Sequence, residues 1–326
     1  MKPQPKVSVI MPVYNAAAYL SAALESVLGQ SLQEIELIAI DDGSTDDSLA
    51  VLQAVQDARL RIISRPNCGV GPTRNEGIFA ASGEYIFFLD PDDRIAAPDV
   101  LELLYTKAVE HGVSICGGSL SRIYGEHEDT SVVPGFEKQH FAQEGLVNYA
   151  DYQYHYGFYR FIYKRSLLLE SGITFPALCR YQDPPFMVRA MLAAGRFYAV
   201  PQVTYAYRKE HRKLEWRQRH TNDFFSGLSD VWNMANDQNL PLLRQMVQSS
   251  LCDYHAQIQK YLTAQHNAFI REVESFATHQ ILTPILESDN RICRFLKRLF
   301  IRKTLTITTI LFMGLPIVRR KSVSSI

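Results

Sequence analysis

Five cysteines in 326 residues, odd in number, widely spaced and without a Cys-x-x-Cys pair, argue against a disulfide framework and against a cysteine zinc site. Cys68, Cys116, Cys179, Cys252 and Cys293 therefore read as reduced, mostly buried thiols. No secretory segment opens the chain, because Met1–Lys6 runs straight into the strand pattern Val7–Met11 without a long apolar region. A cytoplasmic location follows as an expectation. The dinucleotide-binding Gly-x-Gly-x-x-Gly is also missing; Gly69-Val70-Gly71 alone does not supply it. Net charge is absent too, with 34 basic and 34 acidic side chains, and no nucleic-acid partner is expected. That zero hides one further absence. Beyond Asp289 no acidic residue occurs, while Arg291, Arg294, Lys297, Arg298, Arg302, Lys303, Arg319, Arg320 and Lys321 all fall in the tail.

What is present is 47% hydrophobic residues, enough for one large domain or two smaller ones. The most informative stretch is Tyr85-Ile86-Phe87-Phe88-Leu89-Asp90-Pro91-Asp92-Asp93. An apolar run that reads as a buried strand ends in three carboxylates within four positions. Carboxylates this close repel one another, and a divalent cation is one way to hold them together. Open α/β sheets bind ligands at the carboxyl ends of their strands, which is where these acids lie. The plainer reading is an acidic turn before a helix over Pro98–Glu110.

Residues 1 to about 115 alternate. Strands are predicted at Val7–Met11, Ile35–Asp41, Leu60–Ser64 and Tyr85–Asp90, with helices at Ala17–Gly29, Asp46–Gln56 and Gly71–Ala81 between them. Such spacing implies right-handed crossovers and a parallel sheet. A strand at Val113–Gly118 follows; residues 122 to 143 carry no clear pattern. Tyr149–Tyr163 holds six tyrosines and two phenylalanines, which read as packed core more readily than as the lining of a sugar cleft. A helix at Asp183–Ala194, a strand at Gln202–Tyr207 and helical patterns from Thr221 to about Ile285 complete the body.

Four segments fall on the strand ends or the loops beside them: Val9-Ile10-Met11-Pro12-Val13-Tyr14-Asn15, Asp41-Asp42-Gly43-Ser44-Thr45-Asp46, Asn67-Cys68-Gly69 through Arg74-Asn75-Glu76-Gly77, and Asp90-Pro91-Asp92-Asp93. In this order the chain resembles the family-2 inverting glycosyltransferases of the GT-A fold, over residues 6 to 215. The resemblance implies an α/β architecture with a mostly parallel, Rossmann-like sheet. It divides the chain into a transferase domain at 1–220 (donor half 1–115, acceptor half 116–220), a helical region at 221–290 and a basic tail at 291–326. It implies a nucleotide-diphosphate sugar donor, a UDP-sugar by expectation, contacted by Pro12, Tyr14, Asp41, Asp42, Arg74, Asp90 and Arg208. Mn²⁺ or Mg²⁺ would be held by Asp92 and His211, with Asp90 reaching the ribose, or the metal through water. Each has a plainer reading: Tyr14 as packing, Asp41 and Asp42 as turn formers, Arg74 as a surface ion pair, His211 as solvated surface.

Inversion needs a general base on the acceptor side. Tyr181-Gln182-Asp183-Pro184-Pro185-Phe186 matches the family's segment, with Gln182 where an acid is usual, so the resemblance makes Asp183 the base. The competing role for Asp183 is a helix cap. Trp216 could stack on an acceptor sugar or lie in the core. In the tail, Ile292, Phe295, Leu296 and Leu299 recur at helical spacing among cations, as in a helix lying on anionic membrane. Thr304–Val318 is too short to span comfortably. The acceptor is then a saccharide or lipid-linked saccharide at the inner membrane face, in cell-surface polysaccharide synthesis; the alternative for the tail is docking on the acidic body. Two other functions stay open, a sugar-phosphate nucleotidyltransferase and a non-catalytic glycan-binding relative.

Overall fold

The computed structural model describes residues 4–132, 137–209 and 215–287, with side chains as far as residue 276. The first stretch alternates as its sequence pattern requires: β1 (Val7–Val13), α1 (Ala17–Leu28), β2 (Ile35–Asp41), α2 (Ser48–Ala54), β3 (Leu60–Ser64), α3 (Val70–Ala80) and β4 (Tyr85–Phe88). All seven residues of β1 are buried, the continuous apolar run expected of a strand covered on both faces. Helix α1 buries Leu20, Ala23, Leu24 and Val27, the i, i+3, i+4, i+7 stripe that seats it on the sheet.

The second stretch is less regular. It runs β5 (Arg94–Ile95), α4 (Val100–Glu110), β6 (Ile115–Tyr124), β7 (His127–Asp129), β8 (Gly145–Asn148), α5 (Tyr149–Tyr152), β9 (Phe161–Lys164), α6 (Arg165–Glu170), α7 (Asp183–Ala194) and β10 (Arg196–Arg208). One sheet takes all ten strands, in the order β3-β2-β1-β4-β9-β6-β10-β5, with β7 paired to β6 and β8 to β10. The β3-β2-β1-β4 half is parallel throughout. Beyond it β9 is antiparallel to both β4 and β6, while β6 and β10 are parallel. The carboxyl ends of β1, β2 and β4 thus meet the far end of β10 along one edge.

Pro12 lies within β1, where a missing N–H would ordinarily break a ladder. The Val13 carbonyl accepts from Asp42 on β2's side and the Ile10 carbonyl from Leu89 on β4's side. Even-numbered residues of β1 therefore face β4, and β1–β4 pairing ends at Ile10–Phe88. The lost donor falls just past that end.

Helices α8 (Gln218–Asp237), α9 (Pro241–Asp253), α10 (His255–Ile258) and α11 (Ala264–Glu287) follow. The chain divides into two compact units, Met1–Ser250 with Ala256–Tyr261, and Leu251–His255 with the residues from Leu262 on. In the first unit α8 buries Phe224, Phe225, Leu228, Val231, Trp232 and Ala235 along one face. Among the described residues no helix is long and apolar enough to cross a membrane. The basic tail expected at 291–326 lies outside the described residues.

Candidate active site

At the end of β2 two buried acids are already supplied with donors. Asp41 accepts from the Ser44 N–H at 3.1 Å and the Ser64 hydroxyl at 2.9 Å. Asp42 accepts from the Cys68 N–H and the Gly69 N–H, both at 2.9 Å, and from the Asn67 amide at 3.2 Å. Both hold turns through these bonds, and Asp42 fixes the Asn67–Gly69 loop that leads into α3. Tyr14, 45% exposed, stands at the end of β1 with its face open to solvent rather than in the core. Gly77 on α3 packs on β1 so closely that an added Cβ would lie 2.3 Å from Ile10, which explains the glycine in Arg74-Asn75-Glu76-Gly77.

Arg74 is not a surface ion pair. Its side chain is 3% exposed, and it bridges two acids from opposite halves of the sheet: Nη2 to Asp90 Oδ1 at 2.7 Å and Nη1 to Asp183 Oδ1 at 2.7 Å. Its guanidinium also sits over the Phe158 ring at 4.7 Å and the Phe175 ring at 5.2 Å. Burial disfavours the cation, but the charges of Asp90 and Asp183 outweigh it and raise the Arg74 pKa. Asp90 and Asp183 are 24% and 35% exposed. The Oδ2 atom of each makes no hydrogen bond among the described residues. Burial pushes the Asp183 carboxyl above its ordinary value while Arg74 pulls it back.

Asp93 faces inward. It is buried, and its oxygens accept from the Arg208 N–H and the Tyr205 hydroxyl, both at 2.7 Å. The Tyr205 oxygen in turn accepts from the Asp90 N–H at 3.1 Å. Desolvation and the neighbouring Asp92 and Asp90 push the Asp93 carboxyl well up. Arg208 Nε donates to the Asp92 carbonyl at 2.9 Å and Nη1 to the Gly125 carbonyl at 3.1 Å, with the guanidinium over Tyr19. Arg208 here clamps the acidic turn from behind.

Mg²⁺ and Mn²⁺ bound with a diphosphate need only one or two protein carboxylates. Asp93 has both oxygens taken. The second oxygen of Asp90 is open and half-buried Asp92 lies on the same turn, an arrangement that fits an ion shared with phosphate oxygens. Among the described residues no group of three or more His, Cys, Asp or Glu could hold an ion by itself. His211 lies outside the described residues.

On the acceptor side, Asp183 is the first residue of α7, preceded by Gln182 and followed by Pro184 and Pro185, and makes no side-chain capping bond. The helix-cap reading of Asp183 is thereby corrected: the carboxylate is turned to Arg74. Six of the eight aromatics in Tyr149–Tyr163 are buried; Tyr156 and Tyr159 are half-buried. Tyr159 stacks against Tyr205 and Tyr207 beside the acids. Trp216 is buried against Phe224 with Arg180 over its ring. Sequence reasoning gave Tyr205 no role. One buried tyrosine among seventeen carries no local signal, and only the β5–β10 pairing brings it under the acidic turn. Asn75 was equally silent: it exchanges two 2.8 Å bonds with the Phe175 backbone and ties α3 to the segment before α7.

Comparison with known proteins bears on the family and the fold. A family profile described as glycosyl transferase family 2 matches residues 8–170. The uncharacterized glycosyltransferase EpsJ of Bacillus subtilis (strain 168) is 30% identical over 218 residues, covering 64% of this chain; the chain spans 63% of EpsJ. The S. aureus TarS 1–349 structure in complex with UDP-GlcNAc superposes with a TM-score of 0.66 at 20% identity, over 82% of this chain and 79% of that one. The mannosyltransferase PcManGT from Pyrobaculum calidifontis, in complex with GDP-Man and Mn²⁺, gives 0.55 at 16% identity, over 85% and 81%. At these identities the two structures bear on the fold alone.

Proposed function

Because the chain belongs to glycosyl transferase family 2, we propose that it moves a sugar from a nucleotide-diphosphate donor, a UDP-sugar, to a hydroxyl of a saccharide or lipid-linked acceptor, with inversion. The observation that carries this reading is the Arg74 bridge. One buried guanidinium holds an acid of the donor side, Asp90, and an acid of the acceptor side, Asp183, and leaves one oxygen of each open.

Asp183 is the base in this reading. Its open oxygen takes the proton of the acceptor hydroxyl as that oxygen forms a bond to the anomeric carbon. The bond to the donor phosphate oxygen breaks on the opposite face, and the electron pair leaves with the nucleoside diphosphate. A carboxyl raised by burial is a stronger base than an ordinary aspartate. Arg74, at the same time, keeps it ionised and in place. Tyr14 offers a face to the nucleobase, and Asp41, with Pro12 beside it, borders the same end. A divalent ion held by Asp92, with Asp90 near it, would neutralise charge on the diphosphate. His211 and Arg208 belong to the same proposal, Arg208 through the clamp on the acidic turn. Attachment to anionic membrane through residues 291–326 is also part of it. Truncation after Asn290 should release the chain from anionic vesicles, as salt should, in a sedimentation assay.

The test is nucleoside diphosphate release from a panel of nucleotide sugars by the wild type and Asp183→Asn. A general base contributes about 10² to 10⁴ in rate, so the variant should lose transfer by that factor and keep donor affinity. Release of pyrophosphate would instead indicate nucleotidyl transfer, and glycan binding without turnover a non-catalytic relative.

A further inference from the structure

Two residues before Asp183, the backbone of Tyr181 has φ of 62°. Left-handed geometry is uncommon for non-glycine residues and an outlier for a bulky side chain. It costs of the order of 1–3 kcal/mol and persists where the surroundings over-determine it. Three surroundings do so here. The Tyr181 ring meets Phe224 edge to face at 5.0 Å. Its carbonyl lies against α8, where a Cβ added to Gly227 would be 2.5 Å from the oxygen. Its hydroxyl joins a network with His155 Nε2 at 3.0 Å, Ser250 Oγ at 3.0 Å and the Tyr156 hydroxyl at 3.3 Å.

Ser250 donates to the Met246 carbonyl at 2.9 Å, and the Tyr181 and Tyr156 hydroxyls both lie 3.0 Å from its oxygen. The Tyr181 oxygen accepts from Tyr156 and is also in contact with His155 Nε2. The buried Nδ1 of His155 has no partner among the described residues. Burial lowers the His155 pKa to about 3, so the ring is neutral at working pH. Every group of the network is fixed by another.

Such an arrangement wedges one turn into a single conformation, and that turn opens α7 at Asp183. We propose that Tyr181, anchored by His155, Tyr156 and Ser250 and admitted by Gly227, is a positioning residue that aims the Asp183 carboxylate at the acceptor hydroxyl. The proposal rests on Asp183 being the base. Its effect is geometric: the direction of the chain at Tyr181 sets where Oδ1 meets Arg74 and where Oδ2 points. Misplacement of a reacting group by about 1 Å can cost on the order of 10² in rate.

Tyr181→Phe keeps the ring and removes the anchor; Ser250→Ala removes the anchor from the other side; Gly227→Ala pushes on the Tyr181 carbonyl. Two readouts are taken on each folded variant of the full chain. One is a crystal structure, read at the 2.7 Å contact of Arg74 and Asp183. The other is UDP release from UDP-N-acetylglucosamine and UDP-glucose with Mn²⁺, read as kcat and donor KM separately. The expected result is a displaced Asp183 carboxylate and kcat lowered about 10- to 100-fold at unchanged donor KM. An Asp183 that stays on Arg74 in all three variants overturns the proposal, whatever kcat does. A displaced carboxylate with wild-type kcat instead removes Asp183 from the role of base. A wild type that releases no UDP refutes the UDP-sugar reading and leaves the crystallographic arm to decide the positioning.

Discussion

In the parallel half of the sheet two buried acids, Asp41 and Asp42, are satisfied locally. Asp41 and Asp42 are filled by N–H groups and hydroxyls of the loops that follow β2 and β3. In the mixed half one fully buried cation, Arg160, makes no ion pair among the described residues. Its guanidinium donates to the carbonyls of Gly118 and Lys138 and to the Tyr152 hydroxyl, between the rings of Phe141 and Phe161. Partial charges and ring faces replace a carboxylate there. The first half is a platform assembled from neighbouring strands and turns; the second is closed by contacts between distant segments. Arg74 reaches from the first half to an acid of each.

If the parallel half is the donor platform, its remaining acids should matter for rate and little for fold. Asp92→Asn, or excess chelator, should lower sugar transfer by about 10³-fold. That corresponds to about 4 kcal/mol of charge stabilisation by the ion. The melting temperature should stay near that of the wild type. Full turnover in chelator would mean that the acidic turn serves only the fold.

The mixed half should show the opposite: substitutions that cost stability first. β10 carries a bulge where Ala199 pairs with Gly117 and Val203 with Ser119, so that Val200, Pro201 and Gln202 share the space opposite Gly118. A Cβ at Gly118 would lie 2.4 Å from the Gln202 carbonyl and 2.3 Å from Thr204. Gly118→Ala should therefore cost up to about 3 kcal/mol, read as a lower urea midpoint at unchanged slope. A variant as stable as the wild type would show that the bulge yields, and that this half is softer than the comparison holds.

The same bulge explains why the two halves were unequally legible. Ile35–Asp41 and Leu60–Ser64 matched their sequence ranges because a parallel strand between helices is a short apolar run with clear breaks. β10 was read only from Gln202, since Pro201 argues against a strand interior unless a bulge takes it. β9 was hidden at the end of Tyr149–Tyr163, where more than half the positions are Tyr or Phe and no period of two survives. For the site, the sequence brought out Asp90 and Asp92 by their spacing, and Arg74 and Asp183 only through the family resemblance. It could not tell that Asp93 turns inward or that Arg208 holds the turn from behind. Those facts depend on β10 lying beside β5, a contact between residues more than a hundred apart. Nor could it show that Arg74 is buried between two acids, because Asp183 is 109 positions away.

The smallest effect tests the local character of the parallel half at its other end. Glu36 on β2 accepts through one carboxylate oxygen from the Ser8 hydroxyl at 2.5 Å, the Ser82 N–H at 2.6 Å, the Ser82 hydroxyl at 2.8 Å and the Gly83 N–H at 3.2 Å. Burial pushes its carboxyl up, but these donors outweigh burial and hold it below the ordinary glutamate value. A carboxyl depressed in the folded state contributes stability above its unfolded pKa of about 4.3 and loses it as pH falls through the folded value. Glu36→Gln keeps the shape and removes the charge, so it should cost about 1–2 kcal/mol near pH 7. The difference from the wild type should shrink as the pH is lowered below about 4.3. Denaturation at pH 7 and at pH 3 measures both. An equal loss at the two values would mean that the amide, not the missing charge, disturbs the turn, and that this end of the sheet is held by shape rather than by a locally satisfied acid.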